Sequence, residues 1–142
     1  MNTVSAPLVT LLLLLVRPPG GSVCLEGRLS VEQEYNKSSG VLIGRVIGSR
    51  AVPESREYLE GTVYSVRVEE SLHGELPDTV EVFSENTSGR FPMGLGTRYL
   101  LFVYTNLGRT MIDNCGNSGP VSSTTEVLKR VWRLMRESGR HG

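Results

Sequence analysis

Histidine and cysteine are nearly missing from this chain of 142 residues, with two of each. The histidines, His73 and His141, are far apart, and no HExxH, HxxxH or HxH spacing exists to hold a metal ion. His73 stands beside Gly74 and His141 is next to the last residue, so both read as surface turn residues. Cys24 and Cys115 are 91 residues apart, which excludes a CxxC redox motif and a zinc ribbon. Tryptophan occurs once, aromatic residues make up 6%, and the formal net charge is +0. Such a chain has little surface for stacking bases and no basic field to draw in a polyanion, so nucleic acid is not an expected partner. Long hydrophobic runs are also missing. The longest, LVTLLLLLV at residues 8–16, is far short of the roughly 20 residues that cross a bilayer.

The usual catalytic patterns are absent too. Ser118, in GNSGP, lacks the G-x-S-x-G elbow and any His/Asp partner. Glu69 and Glu70 fall at a strand end and read as a solvated edge. MGLGTRY at residues 93–99 has no GK[ST] ending and opens no helix, so it is a turn and not a phosphate loop. No catalytic residue, no metal ligand and no cofactor is expected.

The short apolar run is followed by RPPGGSVC, a stretch of helix breakers and small residues. That is the pattern of a cleaved secretory signal, here spanning residues 1–22. It lacks a cation before the apolar run, and its removal would take only Arg17 among the charged residues, leaving the remainder slightly acidic. A secreted, periplasmic or extracellular location follows. In an oxidising compartment two cysteines are most simply one disulfide, Cys24 to Cys115. A bridge closing so long a loop contributes about 4–5 kcal/mol by chain entropy. Two alternatives stay open: a lipid on Cys24, which would make the protein membrane-anchored, and two unpaired thiols. Lipid processing usually asks for a small residue where Val23 stands.

Residues 30–37 read as a short helix, with Ser30 and Gln33 spaced as a capping box. Strands are expected at residues 41–49, 56–72, 79–85, 98–105 and 109–113. The second alternates cleanly, with Tyr64, Val66 and Val68 on one face and Val63, Ser65, Arg67 and Glu69 on the other. The fourth, RYLLFVYT, is almost continuously apolar and suits burial on both sides. Gly44, Gly48 and Gly61 stand inside the two long early strands, where a sheet must bend. From Ser123 the period becomes helical: Val127, Leu128, Val131, Leu134 and Met135 form one stripe with Trp132 on its flank. Ser123 and Glu126 read as a second capping box, and Gly139 as the stop. The expectation is a mainly β domain at residues 23–122, a small closed barrel of five strands, with a terminal helix and tail at 123–142.

The segments LIGRV, VYSVRVEESLHG, GTRYLLFVY and DNCGNSGP, in that order behind Cys24, resemble the tissue inhibitors of metalloproteinases and netrin-like domains, above all the plain bacterial relatives. The likeness runs from Cys24 to Pro120. It implies a five-stranded OB-fold barrel behind a cysteine-bearing N-terminal segment, with Cys24, Leu25 and Glu26 as the candidate partner-binding residues. In inhibitory members that segment begins Cys-x-Cys, and the amine and carbonyl of its first cysteine chelate the zinc of a protease. Here Glu26 replaces the second cysteine, and the cysteine-rich C-terminal domain of the animal inhibitors is replaced by a single helix. The reading is an exported, non-enzymatic domain that binds a protein partner. A metalloproteinase inhibitor and a lipid-anchored envelope protein are the alternatives, and an extracellular protease is the less favoured partner.

Overall fold

The computed structural model describes Cys24, residues 27–53 and residues 55–140. The expected leader, Leu25, Glu26 and His141 lie outside the described residues.

Helix α1 (Val31–Lys37) starts where its cap predicts. Ser30 Oγ accepts the Gln33 amide at 3.1 Å, and Gln33 Oε1 accepts the Ser30 amide at 3.0 Å, so two otherwise unpaired donors satisfy each other's residues. Six strands follow: β1 (Gly40–Pro53), β2 (Leu59–His73), β3 (Thr79–Glu85), β4 (Arg98–Asn106), β5 (Arg109–Ile112) and β6 (Gly119–Pro120). Helix α2 (Thr125–Ser138) ends the described chain.

The strands pair in the order β1-β2-β3-β5-β4, and β4 returns to β1, giving a ring of five. Every contact in the ring is antiparallel except that of β3 with β5, which is parallel and joins Phe83 to Met111 and Ser84 to Ile112. The sixth strand is an addition to the sequence reading. It is two residues long, pairs with β4, and contains Pro120, a composition with no strand signal of its own.

Alternation assigns the side chains to two cores. Leu42, Val46, Tyr64, Val66, Val80, Val82, Leu101 and Val103 fill the ring. The alternate residues of β1 and β4, Val41, Ile43, Leu100 and Phe102, point the other way and are covered by Val31 and Tyr35 of α1 and by Leu128 and Val131 of α2. This double burial explains the unbroken apolar run of β4, each such side chain being worth about 1.5–3 kcal/mol when removed from water. Trp132 packs on the edge of the outer core, as its position on the stripe implies. Glu32 and Arg130 form a two-pronged ion pair that ties α1 to α2.

The register of β1 on β2 breaks at Ile43/Gly44 and again at Val46/Gly48, so these two glycines sit at the irregularities that coil the strand. Gly61 has a different reason. The Phe83 ring and the Ser84 carbonyl occupy the space a Cβ would need, so close approach selects glycine there.

The second capping box does not form. Val121–Ser123 make a single 3-10 turn in which Ser123 Oγ donates to the Pro120 carbonyl, and Thr124 becomes the cap residue of α2. Thr124 Oγ1 donates to that same carbonyl. Both hydroxyls thus donate to the Pro120 carbonyl, and the first amides of α2 receive no side-chain cap. No helix among the described residues is long and apolar enough to cross a membrane.

Candidate functional site

Cys24 and Cys115 are joined, with their Cα atoms 5.6 Å apart. The bridge fastens the N-terminal segment to the loop between β5 and β6. Cys24 is half-buried, and its carbonyl accepts the Gly27 amide at 3.0 Å. Gly27 has a φ of 73°, which favours glycine. A disulfide persists in an oxidising environment and so points to a location outside the cytoplasm.

The loop receiving the bridge is held at almost every residue. Asp113 Oδ1 accepts the Cys115 amide at 2.8 Å, and Asn114 donates to the Gly89 and Ser88 carbonyls through its main chain and side chain respectively. Ser118 Oγ accepts the Phe102 amide at 2.8 Å, which gives that hydroxyl a structural task on β4.

Beneath the loop lies Glu34, a carboxylate only 1% exposed. Its Oε1 accepts the Tyr104 hydroxyl at 3.0 Å. Its Oε2 accepts both the main-chain amide of Asn117 at 2.6 Å and the Asn117 side-chain amide at 2.7 Å. Asn117 also donates to the Leu29 carbonyl, at the start of α1. Gly116 lies so close over the carboxylate that a Cβ would overlap Glu34 Oε1. A buried carboxylate is tolerable only when its lone pairs are occupied, and three donors occupy these. Burial, and then the negative charge of Glu34, push the Tyr104 phenol well above the ordinary tyrosine range, so it remains a donor.

The other sequence candidates are dispersed. His73 ends β2 and packs its ring on Tyr35, with centroids 4.4 Å apart, instead of standing free in a turn. Glu69 lies between Arg45 and Arg98 and is held below the ordinary glutamate range, chiefly by its hydrogen bond from Arg98. Arg45 Nη1 also donates to the Gly96 carbonyl, pinning the glycine-rich loop to β1. Among the described residues no three His, Cys, Asp or Glu side chains converge as a metal site. Leu25 and Glu26, expected to touch a partner, lie outside the described residues.

Sequence reasoning missed the Glu34–Tyr104–Asn117 cluster, although a signal was present. Val31, Glu34 and Tyr35 occupy one helical face, so an acid stands where burial was expected. An open groove of about 510 Å³ flanks this loop, with Arg28 and Arg90 among its lining residues.

No family model matches the chain, and no curated protein matches it.

Proposed function

We propose that this chain is an exported, non-enzymatic domain of the netrin-like OB type that binds a protein partner. The observation that carries the reading is the fastening of the N-terminal segment by Cys24–Cys115 onto a loop held by Glu34, beside a ring of strands ordered β1-β2-β3-β5-β4. A single parallel contact, β3 with β5, is what the five-stranded OB barrel calls for, and the bridge joins the two cysteines that an oxidising compartment leads one to pair. A segment tethered at Cys24 is suited to recognition because the tether lowers the conformational freedom that binding must remove. No cofactor enters this reading, and the low aromatic content and near-zero charge argue for a protein partner over a nucleic acid.

The inhibitor reading shares the mounted segment but lacks the second anchoring cysteine, which Glu26 replaces. The lipid-anchor reading needs the Cys24 sulfur, which the bridge consumes.

The test is cross-linking in the native host. Epitope-tagged full-length chain is expressed at its natural level, cells are fractionated, and the exported fraction is cross-linked and analysed by mass. A defined heteromeric complex, lost when Cys115→Ser releases the segment, is expected. A protein found only in the cytoplasm, or one that is exported and forms no complex, would refute the reading.

A further inference from the structure

The charges of this neutral chain are not evenly spread. Between Leu128 and Arg140 stand five of its 15 Lys and Arg residues, and Glu137 is the only one of its 15 Asp and Glu residues among them. The stretch belongs to α2 and the turn that ends it. Leu128 and Val131 fix that helix on the outer core, so the direction of its other side chains follows from the helical period. Lys129, Arg133 and Arg136 recur at i, i+4 and i+7, all exposed, on the side turned to solvent. Gly139 keeps helical backbone angles, so exposed Arg140, at i+11, continues the row.

The row keeps a surplus of positive charge after its neighbours are counted. Lys129 pairs with Glu126, and Glu137 stands one turn after Arg133. Arg133, Arg136 and Arg140 make no ion pair among the described residues. The carboxylates of the elements packed against α2 are mostly engaged. Glu32 is held by Arg130, Glu34 is buried, Glu60 is held by Arg109, and Glu69 is held by Arg45 and Arg98. Only Glu70 of β2 is exposed without an ion pair.

We propose that the face of α2 bearing Lys129, Arg133, Arg136 and Arg140 docks on a bilayer surface rich in anionic phospholipids. This goes beyond the protein-binding reading and does not depend on it. A helix face is convex and offers no cleft for a small anion. A straight row of four cations, about 16 Å long at the helical rise, fits a flat and extended field of negative charge. Three of the four are arginines, whose planar forks match phosphate oxygens. Apolar surface lies beside them. Trp132, one turn before Arg136, is only half-buried, and Met135 is 38% exposed although it belongs to the core-facing stripe. Tryptophan next to basic residues is the composition of an element that rests at a membrane interface. The contact is peripheral, since no helix among the described residues can cross a bilayer and the Cys24 sulfur is taken by the bridge.

The test is co-sedimentation of the exported protein, disulfide intact, with unilamellar vesicles. Vesicles of phosphatidylglycerol and phosphatidylcholine in equal parts should carry the protein down at low ionic strength and release it as salt rises. Vesicles of phosphatidylcholine alone should not. Trp132, the only tryptophan, should change its emission on binding. Arg133→Gln and Arg136→Gln should each lower the partition coefficient about fivefold at unchanged Tm. Arg56→Gln, in the β1–β2 loop, removes the same charge from another surface and should lower it far less. No sedimentation at low salt, equal binding to both vesicles, or undiminished binding when Arg133→Glu and Arg136→Glu are combined would each overturn the proposal. If vesicles are ignored while soluble polyglutamate changes the Trp132 emission, the face serves an acidic polypeptide and the membrane proposal is refuted.

Discussion

The Tyr104 hydroxyl donates to Glu34 Oε1 across 3.0 Å, linking β4 to α1 through a carboxylate that also holds the loop of Cys115. Helix, sheet and disulfide loop therefore share one buried acceptor. Glu34→Gln keeps the shape but replaces one acceptor oxygen with a donor, which must face either Tyr104 or Asn117. A loss of about 1–3 kcal/mol is expected, measured as a shift in the urea midpoint at unchanged slope. Gly116→Ala should destabilise through the same carboxylate, because its Cβ would overlap Oε1.

Alkaline pH should expose the Tyr104 link. Its pKa is raised in the folded state by burial and by Glu34. The stability it provides is complete below the ordinary tyrosine value of about 10 and is lost as pH rises above that value, where the unfolded chain ionises first. Tyr104→Phe should flatten the alkaline limb of the stability–pH curve. On the acid side the sign is opposite. The pKa of Glu69 is lowered by Arg98 and that of Glu32 by Arg130, so their contributions are present above about pH 4.3 and fade as pH falls below it. Both pairs are solvent-accessible, so Glu69→Gln should change this limb only slightly.

Reduction should weaken the domain without abolishing its core. Both apolar clusters are built mostly from side chains of the helices and strands and contain neither cysteine. The bridge constrains the unfolded chain over 91 residues, and its removal should cost up to about 4–5 kcal/mol. Chemical denaturation with and without a reductant measures this, and an unchanged midpoint would count against the bridge as a stabilising element.

Inhibition of metalloproteinases by zinc chelation is not expected. Chelation needs the Cys24 amine to be terminal and unprotonated, and so needs cleavage directly after Val23, a poor residue at that place. Leu25 is also larger than the residue that follows the first cysteine in the inhibitors the chain resembles. A purified zinc protease should keep its full rate in the presence of the exported protein. Tight inhibition that Cys24 variants abolish would refute this expectation.

The sheet was legible because its patterns have single causes. The alternation of Tyr64, Val66 and Val68 reflects one buried face, and RYLLFVY reflects two. The box of Ser30 and Gln33 was legible because both its bonds span only three residues. The Ser123 box failed because Val121–Ser123 form a 3-10 turn, which makes Thr124 the cap position of α2. β6 was hidden because two residues carry no period. Glu34 and Asn117 are 83 residues apart, and their partnership is a consequence of the ring, which local patterns do not encode.

The account's central claim, an exported domain whose N-terminal segment is stapled to the Cys115 loop, is tested most directly by the intact mass of the exported protein. The mass is measured unreduced, after alkylation under denaturing conditions, and again after reduction and alkylation. The predicted result is a mass lacking the leader and carrying no lipid, unchanged by the first alkylation and increased by two alkyl groups after reduction. Alkylation without reduction, an added acyl mass on Cys24, or a retained leader would contradict it.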